Sequence, residues 1–153
     1  MSWLSSDTIR QKVQYNADEA TWKAFDDVYP LDELPSTINH YPIFIVLNTH
    51  PHNLNGQHWK VIFIQKNRRG ELFDSLALPP NIPTQQWLNK HTRQWKTNTR
   101  AFQHPQSASC GAFVLYFILN RLRVRRFESL CQKLSSKHHA NEKLVRNFYN
   151  ALE

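Results

Sequence analysis

Two apolar runs of strand length stand close together in the first half of the chain. They are IFIVLNT at 43–49 and HWKVIFIQ at 58–65, with the polar stretch HPHNLNGQ between them. Their length and their β-branched and aromatic content predict two buried strands joined by a polar loop. A short polar turn then leads to ELFDSLAL at 71–78, a third strand, and TNTRAFQ at 97–103 gives a weak signal for a fourth. Helical signals flank this region. SSDTIRQKVQ opens with Ser6 or Asp7 as a cap, and NADEATWKAFDDVY offers Asn16 as a cap with acidic residues in its first turn. PLDELPSTINHYP holds three prolines and reads as loop. PPNIPTQQWLNKHTRQW begins with proline and predicts a helix from Thr84 to Trp95.

The most hydrophobic segment runs from Cys110 to about Arg126. Phe113, Leu115, Tyr116, Phe117, Ile118, Leu119 and Leu122 leave hardly any polar face in its first three turns. A helix apolar all round belongs at the centre of a core. FESLCQKLSS and NEKLVRNFYNAL predict two amphipathic helices at the C-terminus. The expected architecture is α+β: a small, mostly antiparallel sheet packed against a buried central helix and several amphipathic helices, as one domain over 1–153.

Composition narrows the class. With 153 residues, 41% apolar and 12% aromatic, the chain has material for one core without covalent staples. Its two cysteines, Cys110 and Cys131, do not make a disulfide framework and suit a reducing compartment. The first residues lack a signal-peptide core, and no apolar run approaches the ~20 residues of a membrane helix. A soluble, intracellular protein with no membrane partner is expected. Nineteen Lys and Arg against twelve Asp and Glu give +7 and favour a polyanionic partner such as DNA. Two basic clusters stand out: Lys90, Arg93, Lys96 and Arg100, and then Arg121, Arg123, Arg125 and Arg126.

Candidate chemistry centres on QHPQSASCGAF at 103–113, where Cys110 and Gly111 open the hydrophobic helix. The first N–H groups of a helix lack internal partners, and its dipole stabilises a thiolate placed there. Gly111 would let a substrate backbone approach closely, and the Cys110 N–H could serve an oxyanion. A thiolate also needs a base with an orienting group. Of eight histidines, His58 stands where a loop enters a strand, directly before Trp59. Asp74 lies between apolar neighbours in LFDSL, where a carboxylate seldom sits without a partner. A tight turn near Lys66-Asn67 puts residues 58 and 74 opposite each other. A turn centred on Arg68 instead puts Asp74 opposite Ile62, so the pairing needs the tight turn or a bulge at Gly70. Gln103, seven residues before Cys110 in a loop stiffened by Pro105, could donate to the same oxyanion, with Gln106 as competitor and an ordinary polar loop residue as the alternative. A zinc site from His50, His52, His58 and a cysteine fits no common ligand spacing.

The ordered set of His58-Trp59, Asp74 in a FDSL strand, Gln103, and SASCGAF opening a hydrophobic helix resembles a family of cysteine proteases. The family includes the adenovirus maturation protease and the SUMO-deconjugating proteases. The resemblance covers 40–120 well and the C-terminal helix loosely. It implies His58 as general base, Asp74 as its orienter, Cys110 as nucleophile and Gln103 as oxyanion donor, acting on peptide bonds through a thioester. Asp74 departs from the Glu of the adenoviral branch and agrees with the SUMO branch. The resemblance also implies a viral enzyme that cuts capsid or core precursor proteins near Gly, working in the virion and the host cell. Trp59 would wall a narrow substrate tunnel. It implies stimulation by DNA, and a monomer that requires no metal or cofactor is expected. The disulfide-linked activating peptide of the adenoviral enzyme has no counterpart here, and Cys131 is expected to be a structural thiol. The remaining readings are a deconjugase of a ubiquitin-like modifier, an acyltransferase, and a basic nucleic-acid-binding protein without catalysis.

Overall fold

A computed structural model describes residues 4–48 and 58–153. The segment read above as the 50–57 loop, with His50 and His52, lies outside them. A five-stranded sheet runs in the order β1-β2-β3-β4-β5, with β1 Phe25–Pro30, β2 Ile43–Asn48, β3 Trp59–Ile64, β4 Arg69–Phe73 and β5 Gln94–Thr97. The pairs β2-β3 and β3-β4 are antiparallel, and the two edge strands join in parallel. The helices are α1 Ser6–Asn16, α2 Glu19–Ala24, α3 Ile82–His91, α4 Cys110–Arg121, α5 Phe127–Cys131 and α6 His138–Asn150. The expected α+β architecture is present, and the sheet is mixed.

Both faces of the sheet are covered, which is why its central strands show no polar alternation. Every residue of β3 is buried. Phe44, Val46, Val61, Phe63 and Phe73 face the main core, together with α4 and parts of α1, α5 and α6. Ile43, Ile45, Leu47, Ile62, Ile64 and Leu72 face a second, smaller core closed by Leu88 of α3 and by Leu34, Ile38 and Tyr41 of the proline-rich loop. Phe117 is the hub of the main core. Its ring stacks on Phe73 at 4.7 Å and meets Phe44 and Phe127 edge-on. Rings in such geometry add to what their buried area alone contributes.

The helix α4 is buried along nearly its whole length, as its sequence demanded. Its far end is fastened by Arg121, whose guanidinium makes two parallel bonds of 2.8 and 2.7 Å to Glu71 of β4. Arg121 therefore does not belong to a basic surface: it is 3% exposed and neutralised by Glu71. Lys96, from the other predicted cluster, is partnered by Glu128.

Several local expectations shift. Ser5 caps α1 by accepting from Thr8 N–H, and Asp18 caps α2 by accepting from Thr21 N–H, each placed better than the predicted caps to reach an orphan donor. The helix expected over Thr84–Trp95 ends at His91, where the chain turns into β5. The fourth strand thus overlaps TNTRAFQ only at Thr97. Phe25–Tyr29, read as helix, and Pro30, read as loop, form edge strand β1.

The β3-β4 turn decides the site. Arg68 N–H bonds Gln65 carbonyl at 2.9 Å, and Arg68 takes a left-handed φ of 69°. Asn67 Oδ1 accepts from Arg69 N–H at 3.0 Å. A three-residue loop closed by a left-handed residue is a common hairpin connection. It pairs Ile64 with Gly70 and Val61 with Phe73. The hairpin centre falls on Asn67, between the two alternatives considered above. Continued one residue, this register sets Asp74 across from Lys60, with His58 as its diagonal neighbour.

Candidate active site

His58 and Asp74 meet without a bulge. An extended backbone carries His58 and Lys60 on the same side, and the diagonal reach of a His and an Asp spans the gap. His58 Nε2 lies 2.6 Å from Asp74 Oδ1, and Lys60 Nζ lies 3.2 Å from Asp74 Oδ2. Asp74 is fully buried, yet its carboxylate is saturated. Oδ1 also accepts from Leu76 N–H at 2.9 Å and Oδ2 from Leu78 N–H at 3.1 Å. The turn supplying these donors closes with Ala77 N–H on Asp74 carbonyl at 2.9 Å, Ala77 having a φ of 52°. Behind it, Asn98 bonds both backbone groups of Asp74: Oδ1 accepts from its N–H at 3.0 Å and Nδ2 donates to its carbonyl at 2.7 Å. This side chain stands in for one more rung of the β4-β5 ladder.

Charge follows from these contacts. Burial alone would push the Asp74 carboxyl up, but His58, Lys60 and the Leu76 N–H outweigh it and hold the carboxyl below its ordinary value. Burial likewise opposes charge on His58. Hydrogen bonds to Asp74 and Cys110, with the charges of both, overcome it and raise the imidazole to about 9. At neutral pH the ring is therefore an imidazolium. With Nε2 held by Asp74, Nδ1 is the nitrogen left for Cys110.

Cys110 is the first residue of α4, 3% exposed. The preceding Ser109 occupies the cap position, yet its hydroxyl makes no cap bond to the helix and donates to Glu142 Oε1 at 2.9 Å. The positive end of α4 is thus left without a side-chain cap beside the sulfur.

Gln103 is 1% exposed and fixed at both ends of its amide. Oε1 accepts from Ser75 Oγ at 2.5 Å, and Nε2 donates to Ser107 carbonyl at 2.8 Å. A carbonyl only accepts, so the amide nitrogen must face Ser107. One proton remains on Nε2. Ser75 carbonyl also accepts from Phe102 and Gln103 N–H at 2.7 and 3.0 Å. The residue after Asp74 thereby ties the Gln103 loop to the β4 end. Gln106, the competitor, is exposed.

The remaining predicted positions fall elsewhere. Trp59 is 1% exposed within the main core, its Nε1 donating to Leu4 carbonyl at 3.1 Å. A Cβ added to Gly111 would come within 2.7 Å of Leu4 Cδ1. Both residues expected at a substrate surface are instead packed against Leu4, and Gly111 is small because Leu4 crosses it. Cys131 is partly buried and its thiol is pushed up to about 12, by burial first, so it stays protonated. Among the described residues no group of His, Cys, Asp and Glu could hold a metal ion, and no helix is long and apolar enough to cross a membrane.

Sequence reasoning missed Lys60, Ser75, Asn98 and Glu142. Two of these carried a signal: Lys60 is a cation in an otherwise apolar strand, two residues from His58, and Ser75 directly follows Asp74. Asn98 and Glu142 join the site from distant elements.

No family model matches the chain, and no curated protein matches its sequence. Solved structures share its fold. The ASFV pS273R protease superposes with a TM-score of 0.66 at 18% identity, over 94% of this chain and 66% of that one. ChlaDub1 from Chlamydia trachomatis superposes with a TM-score of 0.58 at 15% identity, over 97% of this chain and 78% of that one. The chain thus spans just under two thirds of the length of the pS273R protease. What it shares with both is the α+β fold.

Proposed function

We propose that the chain is a cysteine endopeptidase in which Cys110 is the nucleophile, His58 its acid–base partner and Asp74 the orienting carboxylate. The observation that carries this reading is the hydrogen-bonded line from buried Asp74 through His58 to Cys110, at the uncapped positive end of a buried helix. A lone cysteine at a helix start is often mere packing. One joined to an imidazolium that is itself held by a saturated carboxylate is equipped for acyl transfer.

In the reaction, Cys110 Sγ attacks the scissile carbonyl as a thiolate, with the His58 imidazolium as its counter-ion. The carbonyl oxygen becomes an oxyanion against the first turn of α4 and the remaining Gln103 Nε2 proton. The C–N bond breaks as His58 gives its proton to the leaving nitrogen, and a thioester remains. Neutral His58 then takes a proton from water, whose oxygen attacks the thioester. The C–S bond breaks, the carboxylic product departs, and the pair is restored. His58 thus enters as acid and acts as base only in deacylation.

The natural substrates would be capsid or core precursor proteins cut near Gly, with the enzyme a monomer active in a virion and its host cell. DNA would stimulate it without any required metal or cofactor. The net charge of +7 and the exposed Lys90, Arg93, Arg123, Arg125 and Arg126 support a polyanion partner. The second reading, deconjugation of a ubiquitin-like modifier, uses the same residues and is supported by the fold shared with ChlaDub1. Incubation with candidate capsid precursors and with a modifier fusion, wild type beside Cys110→Ala, followed by sequencing of product termini, separates the two. Cleavage that survives Cys110→Ala refutes the assignment.

A further inference from the structure

The loop from Gln103 to Ser109 carries both proposed oxyanion elements, the Gln103 amide and the approach to Cys110. Within it, Ser107 N–H bonds His104 carbonyl at 3.0 Å, Gln106 N–H bonds His104 Nδ1 at 3.1 Å, and Gln103 Nε2 bonds Ser107 carbonyl at 2.8 Å. Besides its tie to Ser75 at the end of β4, it is anchored by α6, far away in sequence. Asn141 Nδ2 donates to Phe102 carbonyl at 3.1 Å, just ahead of the loop. The next residue, Glu142, reaches over the loop itself. Its Oε2 accepts from His104 N–H at 3.2 Å. Its Oε1 accepts from Ser109 Oγ at 2.9 Å and from Ser107 Oγ.

We propose that Glu142 is a positioning residue for the proposed cysteine protease: one carboxylate that fixes the start of the Gln103–Cys110 loop at His104 and its end at Ser107 and Ser109. The two hydroxyls and the carboxylate form one network: Ser107 Oγ lies 3.0 Å from Ser109 Oγ and accepts Ser109 N–H at 3.1 Å, while both hydroxyls reach Oε1. The His104 N–H takes the other oxygen.

The geometry has two consequences. Ser107 is held by its hydroxyl, so its carbonyl stays where it receives Gln103 Nε2 and aims the second amide proton. Ser109 is drawn away from its capping role, so the first turn of α4 keeps its donors for the substrate. Glu142 is 6% exposed, and Arg146, at 3.5 Å, is the nearest cation. Burial would raise the Glu142 carboxyl, but the two serines, the His104 N–H and Arg146 hold it below its ordinary value. It is therefore ionised where such an enzyme works.

This inference rests on the protease reading, and the test separates them. Glu142→Ala and Glu142→Gln are compared with wild type by amide hydrogen exchange, by kcat and KM on a cleaved peptide, and by alkylation of Cys110 with iodoacetamide, which needs no oxyanion site. In Glu142→Ala, exchange should accelerate at His104 and Ser109 while the β3-β4 amides keep their protection. Its kcat should fall about 10²-fold, the scale of one lost oxyanion donor, with KM and alkylation changing less than about threefold. Glu142→Gln, which keeps one acceptor oxygen, should recover part of the loss. Unchanged exchange in the loop overturns the clamp whatever the activity. Faster exchange with unchanged kcat overturns the positioning role, as does a parallel fall in alkylation and protection across the sheet, which marks general unfolding. A wild-type protein without Cys110-dependent hydrolysis overturns the protease reading, and the exchange comparison still decides whether Glu142 holds the loop.

Discussion

Replacing Asp74 by Asn is the most informative single substitution. Four donors surround the carboxylate, two on each oxygen: His58 Nε2 and Leu76 N–H on one, Lys60 Nζ and Leu78 N–H on the other. An amide has one accepting end. Whichever way Asn turns, its NH2 group faces two donors in a dry site. A buried donor without an acceptor costs about 1–3 kcal/mol, so the substitution should destabilise the fold by roughly 2–6 kcal/mol. The effect should depend on pH, with a definite sign. His58 titrates at about 9 in the folded protein and near 6.5 when unperturbed. Its raised value means that protonation favours the folded state. The contribution is complete below about 6.5 and is lost as pH rises through about 9. That difference corresponds to about 3 kcal/mol. Without Asp74, burial opposes the imidazolium with only Cys110 to support it, so His58 should titrate at or below its ordinary value. Histidine-selective NMR titration reads this directly, and urea unfolding at about pH 6 and about pH 10 reads the linkage. The stability gap between wild type and Asp74→Asn should be wider at the lower pH. A wild-type His58 that titrates near 6.5, or a gap equal at both pH values, refutes the reasoning.

Other outcomes follow from the same contacts. Gln103→Ala should lower kcat by about 10²–10³ if its amide serves the oxyanion, and a loss under tenfold would leave that work to backbone alone. Ser75→Ala, which frees Gln103 Oε1 and keeps Nε2 on Ser107, should cost about 1 kcal/mol, or roughly fivefold in kcat; an unchanged rate removes Ser75 from the support. Phe117→Ala should destabilise by about 3–5 kcal/mol in urea unfolding, because the hub of four rings cannot collapse onto the space left; a loss under about 1 kcal/mol would contradict the described core. DNA binding should weaken steeply between low and physiological salt, in proportion to the phosphates contacted, and a flat dependence removes nucleic acid from the account.

What the sequence disclosed, and what it hid, has a physical pattern. The central strands and α4 were legible because burial on every side leaves nothing polar to confuse the pattern. The edge strands β1 and β5 were not. In FDDVYP only Val28 is buried, and QWKT has no buried residue, so neither carries an apolar signature and both exist because a neighbour offers a parallel edge. His58, Asp74, Gln103 and Cys110 could be named because each is a polar or reactive group beside an apolar run. Their supports could not all be named. Asn98 and Glu142 act across 24 and 33 residues of sequence, from a loop and a helix whose local patterns say nothing of the partner. Leu4 likewise looks like a stray apolar residue, yet it explains both the buried Trp59 indole and the glycine at 111.

The measurement closest to the central claim is the rate at which a small alkylating agent labels each cysteine at neutral pH, read by peptide mass spectrometry. Cys131, partly buried and protonated up to about 12, is an internal control. The account predicts rapid labelling of Cys110, slow labelling of Cys131, and a Cys110 rate that falls by an order of magnitude or more in His58→Ala. Equal rates at the two sulfurs, or a Cys110 rate indifferent to the loss of His58, would contradict it.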